Sequence, residues 1–532
     1  MNKMRLKMKS YIQPFERILA IRELQTLCNK NLMDENDFDN NNVTIIESNI
    51  NAQELINRLS YWETVEHGSN ITATKQSLRE STVSFLKNGI TFEDIQKKLP
   101  FKHDIPFPSR RCLRYGPHGI HEYRGKFFPQ LVRSLINISG TKPGELVGDP
   151  MCGSGTTAVE ALLSGYNTVG MDMNPLSVYI GKVKCQLLGS DPEKIALSYE
   201  RISKCLERIT GRRRNRLDYF ESLQKTDQDY LKRWFSEKVL GELDEIIGLI
   251  NSVDYKAAKD LMRISFSNIL RAVSWQKKDD LRVRKEIRSD IEINPKIEFL
   301  KELDRSVKAV IVFLYQNGKT RNNFFKIIEY DAKQCVSAWG EKTVDVIISS
   351  PPYATALPYL DTDRLSLSYL NFLPRNQQHL RNQNMIGNRE VSEALRCRYW
   401  EQYTNRKAEF PSSVQNLIEN IEILNSSVRV GFRRRNLPAL LAKYFFDMKE
   451  VINSMYQTLK PGRFAYLVVG NNHTTAGDQR IDIMTSNLLE DIAMAEGFKI
   501  EKSISMEVLV SRDIFRNNAM SSESILVFRR PL

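Results

Sequence analysis

Two short segments carry residues whose types and spacing could do chemistry, and each follows a run of β-forming residues. The segment DPMCGSGTT occupies 149–157, and the segment SPPY occupies 350–353. The chain leaves the predicted sheet at both places, at the carboxyl edge where α/β proteins bind their ligands. These two segments are therefore the first candidates for a functional site.

The glycine-rich segment has the features of a nucleoside-binding turn. Gly153 and Gly155 allow a ligand to approach the backbone closely, and the helix that follows presents free N–H groups. A second predicted strand ends at Asp172, 23 residues after Asp149. A carboxylate at that position binds ribose hydroxyls in α/β nucleotide sites. The spacing GxGxxG is absent, which argues against a dinucleotide fingerprint.

The segment SPPY is suited to holding an exocyclic amine. Such an amine is a poor nucleophile because its lone pair is delocalised into the ring of the base. Acceptors placed on its two hydrogens direct the lone pair toward an electrophile. The Ser350 hydroxyl and the Pro351 carbonyl are the natural acceptors, on a backbone that Pro351 and Pro352 make rigid. Tyr353 would stack on a base that is flipped out of the duplex.

The segment DPMCGSGTT resembles the DPFCGSGTT motif of the amino-directed DNA methyltransferases, with Met151 in place of the usual phenylalanine. In that family the turn holds the methionine part of S-adenosylmethionine, and the aspartate that ends the second strand binds the ribose. The resemblance implies S-adenosylmethionine as the cofactor. It assigns to cofactor binding Asp149, Pro150, Cys152, Gly153, Ser154, Gly155, Thr156 and Asp172.

Two further segments are similar to elements of the same family. HGIHEYRGKFFP (118–129) is similar to the element HxY…KFxP, whose phenylalanine lines the methionine pocket, and this assigns Phe128 and Pro129 to cofactor binding. Asp331 and Ala332 follow the predicted strand KIIEY and match the position where family members read the adenine ring.

The segment SPPY matches the (D/N/S)-P-P-(Y/F) motif of this family, which implies that Ser350, Pro351, Pro352 and Tyr353 are catalytic. SPPY is typical of cytosine-N4 enzymes and DPPY of adenine-N6 enzymes. We therefore expect direct methyl transfer to cytosine N4 in double-stranded DNA, with no metal. Adenine N6 is the first alternative and guanosine N2 in RNA the second. Carbon-5 methylation is disfavoured because it needs a cysteine nucleophile, usually in a Pro-Cys pair, and no cysteine here follows a proline.

The elements that must position these residues form an alternating series of strands and helices from about residue 115. This series predicts an α/β fold with a mostly parallel seven-stranded sheet, a Rossmann-like class I methyltransferase. The predicted strands are Glu145–Gly148, Thr168–Met171, Phe325–Tyr330, Val344–Ser349, Phe464–Gly470, Phe498–Met506 and Ser524–Phe528. The last two are expected to form a hairpin at the edge of the sheet.

Additions to this core divide the chain into further regions. The predicted regions are a helical N-terminal region (1–110), the cofactor half of the core (111–185), a helical insertion (186–320), the part of the core with the catalytic motif (321–370), a basic candidate target-recognition region (371–440) and the C-terminal strands of the core (441–532).

The formal net charge of +13 favours a polyanionic partner, here double-stranded DNA. The region 371–440 supplies the candidate nucleic-acid-binding residues Arg375, Arg381, Arg389, Arg433, Arg434 and Arg435. The insertion, with GRRRNR at 211–216, is the other candidate for nucleic-acid binding.

A cognate restriction nuclease or another defence-system protein is a candidate partner. No apolar run approaches the roughly 20 residues of a membrane span, so we expect a cytoplasmic protein.

Overall fold

The computed structural model of the protein describes residues 2–29, 39, 42–86, 90–101, 107–123, 125, 128–208, 217–277, 284–287, 293–320, 323–354, 359–507 and 522–532. The basic segment GRRRNR (211–216) lies outside the described residues, as do three positions of the predicted element HGIHEYRGKFFP. In the part that is described, no helix is both long enough and apolar enough to cross a membrane.

The N-terminal region contains a sheet, so the prediction that it is helical is wrong in part. Its elements are β1 (Asn2–Met8), α1 (Pro14–Cys28), β2 (Val43–Ser48), α2 (Ala52–Arg58), β3 (Trp62–His67), β4 (Asn70–Ala73), α3 (Lys75–Phe85) and α4 (Phe92–Lys98). The strands are antiparallel in the order β2-β1-β3-β4. Met4, Leu6 and Met8 are buried while the charged residues between them are exposed, which is the period of a half-buried strand.

The first half of the core contains α5 (Pro129–Ile138), β5 (Leu146–Asp149), α6 (Thr156–Leu163), β6 (Asn167–Asp172) and α7 (Pro175–Leu187). The insertion that follows is helical, as the sequence predicts. Its helices are α8 (Pro192–Arg208), α9 (Asp218–Ser222), α10 (Lys225–Lys232), α11 (Glu237–Asn251), α12 (Lys256–Ala272) and α13 (Pro295–Asn317). They form a common apolar core with α7, against which they pack.

The second half of the core resumes at β7 (Phe325–Glu329), α14 (Cys335–Trp339), β8 (Val344–Ser349) and α15 (Tyr359–Tyr369). The basic region forms helices α16 (Arg375–Asn384), α17 (Glu393–Arg406), α18 (Ser412–Ser426) and the start of α19 (Phe432–Thr458). The chain ends with β9 (Leu459–Gly470), β10 (Asn472–Ala476), β11 (Gln479–Ile483), α20 (Thr485–Ala495), β12 (Lys499–Ile500), β13 (Ile504–Glu507) and β14 (Ser522–Arg529).

The central sheet has the order β12-β14-β9-β8-β5-β6-β7, with β13 paired to β14. The strands from β9 to β7 are parallel, and β14 is antiparallel to β9. The predicted Rossmann-like fold is confirmed. The predicted strand Phe498–Met506 is divided into β12 and β13, which gives eight strands instead of seven. The chain order reverses between β5 and β8, and such a switch point opens a crevice for a ligand.

A buried polar cluster connects the glycine-turn helix α6 to the elements before it. The Glu160 carboxylate accepts hydrogen bonds from Tyr115 Oη at 2.7 Å and Arg133 Nε at 3.0 Å. His118 Nε2 lies 2.8 Å from Glu160 Oε1. Burial would raise the pKa of Glu160, but Arg133 and His118 outweigh it and bring this pKa down to about 2. The cluster is therefore an ionised pair in the interior.

We expect Glu160→Ala to lower the free energy of unfolding by about 3–5 kcal/mol, because it leaves the Arg133 guanidinium buried without its counter-ion. Urea denaturation followed by circular dichroism measures the change. The matched control is Glu193→Ala at an exposed position of α8, which should change stability by less than about 0.5 kcal/mol. An effect of Glu160→Ala no larger than that of the control would contradict the ionised-pair interpretation.

Candidate active site

An open cleft of about 730 Å³ lies at the carboxyl edge of the sheet, where β5, β6 and β8 end. Both predicted segments contribute to it. The residues that line it are Tyr123, Gly125, Met151, Cys152, Gly153, Ser154, Thr156, Asp172, Asn174, Ser350, Pro351, Pro352, Tyr353 and Met385. Nine residues of the predicted cofactor and catalytic sets are thus brought together by the fold: Cys152, Gly153, Ser154, Thr156, Asp172, Ser350, Pro351, Pro352 and Tyr353.

The two segments are fixed to each other directly at the switch point. Parallel pairing places Gly148 of β5 beside Ile347 of β8. The Ser349 hydroxyl then donates a hydrogen bond of 2.7 Å to Asp149 Oδ1, across 200 residues of sequence. Burial raises the pKa of Asp149 to about 6, although this bond opposes the shift. The Asp149 carboxylate therefore fixes the segment SPPY next to the glycine turn.

The glycine turn is closely packed on both sides. Gly153 and Gly155 have φ values of +48° and +78°, which favour glycine. A Cβ atom on Gly155 would lie 2.8 Å from the Cα of Gly181 in α7, and one on Gly153 would lie 2.9 Å from the ring of Tyr123. No other residue fits either position without movement of the backbone or the ring.

Asp172 ends β6 with its carboxylate on the lining of the cleft. Its oxygens accept hydrogen bonds from the backbone N–H groups of Gly153 at 2.9 Å and Asn174 at 2.8 Å. Burial raises the pKa of Asp172 to about 6, although the hydrogen bonds from the backbone favour the ionised form and oppose this shift. Each carboxylate oxygen can accept a second hydrogen bond, so the group can serve two hydroxyls of a ligand.

The hydrogen bonds of the segment SPPY determine which of its side chains can accept a bond from a ligand. The Ser350 hydroxyl donates a hydrogen bond of 3.0 Å to the carbonyl oxygen of Val468 in β9. Because its hydrogen is used there, this hydroxyl can only accept a bond from a ligand. The Tyr353 hydroxyl donates to Glu523 Oε1 at 2.5 Å, which fixes the ring at the mouth of the cleft.

Several predicted cofactor residues do not line the cleft. Asp149, Pro150 and Gly155 are buried behind the lining. The Phe128 ring lies 4.4 Å from the Arg111 guanidinium and packs beside the N-terminal core, with Pro129 buried at the start of α5.

Asp331 and Ala332 also lie away from the lining. The Asp331 carboxylate is 3.4 Å from Lys333 Nζ, and Ala332 is buried in the apolar core. The adenine contact expected at this position therefore remains a prediction.

The predicted nucleic-acid-binding arginines divide into two groups. Arg375 lies 4.8 Å over the ring of Tyr230 in the insertion, and Arg381 donates to the Met173 carbonyl at 2.7 Å and to Glu329. These two guanidinium groups contact the protein itself. Arg389, Arg433, Arg434 and Arg435 are exposed, although Arg434 donates to the Gly477 carbonyl at 3.3 Å and Arg435 pairs with Glu393 at 3.2 Å.

Sequence reasoning missed some residues of the site. Glu523, which holds Tyr353, lies on β14, and nothing in its local sequence indicates a functional position. Met385 comes from the basic region and reaches the lining. Asn174 lines the cleft and donates to Asp363 Oδ2 of α15 at 2.8 Å. In the sequence, the position of Asn174 two residues after the strand-ending Asp172 is a signal that could have indicated it as a site residue.

Known proteins match this chain across the site. The family model described as RMKL-like, methyltransferase domain (UPF0020) matches residues 121–201. The Type II methyltransferase M.BsoBI of Geobacillus stearothermophilus is 24% identical over 418 residues, which cover 72% of this chain and 78% of that protein. The Type II methyltransferase M.MvaI of Kocuria varians is 24% identical over 434 residues, 77% of this chain and 90% of its own length. The chain is a methyltransferase, and these similarities support an amino-methyltransferase family.

A shorter similarity is to an RNA-modifying protein. A tRNA (guanine(10)-N2)-dimethyltransferase of Methanothermobacter thermautotrophicus is 42% identical over 52 residues, which are 10% of this chain and 16% of that protein.

The cofactor of this methyltransferase is S-adenosylmethionine. The groups of the cleft fit it: a carboxylate acceptor at the end of β6 and a glycine turn whose residues Gly153 and Ser154 line the cleft.

Proposed function

We propose that this amino-methyltransferase transfers a methyl group from S-adenosylmethionine to the exocyclic N4 of cytosine in double-stranded DNA. The observation that carries the proposal is the polarity of Ser350. Its hydrogen is bound to the Val468 carbonyl, so the hydroxyl faces the cleft as an acceptor beside the Pro351 carbonyl. Two acceptors on a rigid loop suit an amino group with two hydrogens.

In the proposed cofactor half, Asp172 accepts hydrogen bonds from the ribose hydroxyls and the turn from Cys152 to Thr156 holds the methionine part. Asp331 and Ala332 are proposed for the adenine ring, and Phe128 and Pro129 for the wall of the methionine pocket. The cofactor supplies an electrophilic methyl group. The support is the position of Asp172 and the turn on the cleft, next to the catalytic segment.

In the proposed catalytic half, the Ser350 hydroxyl and the Pro351 carbonyl accept hydrogen bonds from the amino group of the base. These bonds orient the nitrogen lone pair toward the methyl group and lower the cost of the charge that develops on nitrogen. Tyr353 stacks on the flipped base, and Glu523 keeps the tyrosine ring in place. Pro352 restricts the loop. The nitrogen–methyl bond would form as the sulfur–methyl bond breaks, the nitrogen would give one proton to solvent, and S-adenosylhomocysteine would be released.

We propose that DNA contacts the exposed arginines of the basic region together with the hairpin β10–β11. The hairpin follows β9 directly, at the catalytic edge of the sheet. Arg434 Nη1 donates to the carbonyl of Gly477 in its turn at 3.3 Å. His473 and Arg480 are exposed on its strands. A two-stranded ribbon fits the major groove, and the neighbouring arginines suit phosphates.

Two other substrates are alternatives for the same site. Adenine N6 carries the same kind of amino group, so Ser350 and Pro351 could hold it equally well. Cytosine is preferred because the motif has serine where adenine enzymes commonly have aspartate. Guanine N2 in RNA is suggested by the tRNA-modifying relative, but that likeness spans 52 residues, against more than 400 for the Type II methyltransferases.

The names of the Type II methyltransferases also support a restriction nuclease as partner.

The role of Asp172 can be tested by thermal denaturation. S-adenosylmethionine at about 100 times its Kd should stabilise the wild type by about 2.7 kcal/mol, by mass action. Asp172→Ala should show almost no shift at that concentration, because the ribose loses its acceptor. Asp331→Ala, in the same assay, should lose part of the shift. Equal shifts in wild type and Asp172→Ala would remove Asp172 from the cofactor site.

The product identifies the base. With labelled S-adenosylmethionine and mixed-sequence duplex DNA, label should appear in N4-methylcytosine after digestion to nucleosides. Ser350→Ala should lower the rate by about 10²-fold or more while cofactor affinity stays unchanged. Ser337→Ala, an exposed serine of α14, serves as the control. Label in N6-methyladenine would replace cytosine by adenine, and label in RNA alone would contradict DNA as the substrate.

Salt dependence tests the proposed DNA face. Replacing Arg433, Arg434 and Arg435 by alanine should weaken DNA binding and reduce the slope of log K against log salt by about 2–3, near 0.9 for each lost phosphate contact. The control triple, Arg201, Lys204 and Arg208, is exposed on α8 of the insertion. If only the control triple changes the slope, the insertion and not the basic region contacts DNA.

A further inference from the structure

Lys184 is a charged residue in the interior beside the cleft, and the catalytic and cofactor motifs do not include it. It lies in the third turn of α7 and its side chain is fully buried. Its ammonium donates a hydrogen bond of 3.0 Å to the Ser154 hydroxyl oxygen. Among the described residues, no carboxylate lies within ion-pair distance of this ammonium.

The packing of α7 against the glycine turn explains how the side chain of Lys184 reaches Ser154. Gly181 is so close to Gly155 that a Cβ atom on Gly155 would come within 2.8 Å of its Cα. Lys184 follows three residues later on the same side of the helix, as residues three apart do. Its chain therefore ends under Ser154, and Ser154 lines the cleft.

An ammonium with one neutral acceptor is a poorly satisfied group. Its three N–H donors call for more than one hydroxyl oxygen, and a buried charge without a counter-ion is costly. Burial lowers the pKa of Lys184 to about 7. The other titratable groups that face it are the thiols of Cys152 and Cys185 and the imidazole of His121, whose pKa is lowered to about 3 by burial and then by Lys184.

The Lys184 bond also sets the polarity of Ser154. Because the hydroxyl oxygen accepts from the ammonium, its own hydrogen is left for a partner in the cleft. A donor that is itself bound to a cation is a stronger donor, above all toward an anion. The carboxylate at the methionine end of the cofactor is an anion that this half of the cleft is proposed to hold.

We propose that Lys184 is a positioning residue for the cofactor: its ammonium donates to Ser154, and the Ser154 hydroxyl donates to the carboxylate of S-adenosylmethionine. This inference rests on the proposed cofactor half of the site. The positive charge acts on the carboxylate through one hydroxyl in a poorly solvated place, where electrostatic attraction is strong. Lys184 thus supplies the counter-charge for a ligand that otherwise meets Asp172 and backbone groups.

A pH dependence follows from this arrangement. The carboxylate favours the charged form of Lys184, so binding raises the pKa of the lysine and takes up a proton. The affinity for the cofactor is then at its maximum below the pKa that Lys184 has in the free protein. It declines as the pH rises through that pKa. Asp172, whose pKa is raised to about 6, affects affinity only on the acid side. On the alkaline side, Lys184 titrates together with the α-amino group of the ligand, so its part is the difference between wild type and a variant that lacks the lysine.

The test is isothermal titration calorimetry of the whole protein with two nucleosides. S-adenosylhomocysteine has the carboxylate, and 5′-methylthioadenosine lacks it. Lys184→Met should weaken S-adenosylhomocysteine binding at least about tenfold near pH 6–7 and change 5′-methylthioadenosine binding by less than about twofold. Ser154→Ala should show the same selective loss. Lys182→Met, at an exposed position of the same helix, should behave as wild type.

Between about pH 7 and 9, wild-type affinity for S-adenosylhomocysteine should decline more steeply than that of Lys184→Met. Equal loss of both ligands in Lys184→Met and in Ser154→Ala would mean that the pair only supports the fold, and unchanged binding would mean that it does not act on the cofactor. Either result overturns the inference while the proposed function stands. A wild type that binds neither nucleoside would overturn the proposed function and this inference with it.

Discussion

The hydrogen bond from the Ser349 hydroxyl to the Asp149 carboxylate is the contact on which the rest of the site depends. Asp149 begins the turn that is proposed to hold the cofactor, and Ser349 precedes the loop that is proposed to hold the base. Both lie at the ends of β5 and β8, which are parallel neighbours at the switch point of the sheet. Since methyl transfer requires donor and acceptor atoms in van der Waals contact and in line, a fixed distance between these two turns is the first requirement of the proposed reaction.

Two serine hydroxyls in this cleft have opposite polarity, and their neighbours decide it. Ser350 gives its hydrogen to the Val468 carbonyl and is left as an acceptor. Ser154 accepts from Lys184 and is left as a donor. The same side chain therefore suits an amino group at one position of the cleft and a carboxylate at another. The sequence shows only two serines, because hydroxyl direction depends on partners 118 and 30 residues away.

The large additions to the core stabilise the elements that carry the site. The N-terminal region shares an apolar core with α5 and one face of the central sheet, and the insertion shares another with α7. Arg79 of α3 links these parts, with bonds to Asn317 at 2.8 Å and to the Leu163 carbonyl at 3.0 Å. The glycine turn is thus held from several sides, which suits a site whose geometry must not change when the ligand binds.

The sequence by itself determined the central sheet and the two turns. Buried runs such as Val344–Ser349 are predicted reliably because a strand that is buried on both faces is mostly apolar, here with Asp345 and Ser349 as the two polar residues. The glycines and the strand-ending Asp172 reflect local backbone requirements, so they too are visible in the sequence. Tertiary structure alone decided the N-terminal sheet, whose strands pair at distances of up to about 60 residues. It also turned Arg375 and Arg381 toward protein partners and placed Glu523 and Lys184 at the site. These roles depend on which distant atoms lie opposite a side chain, and no local pattern of residues records that.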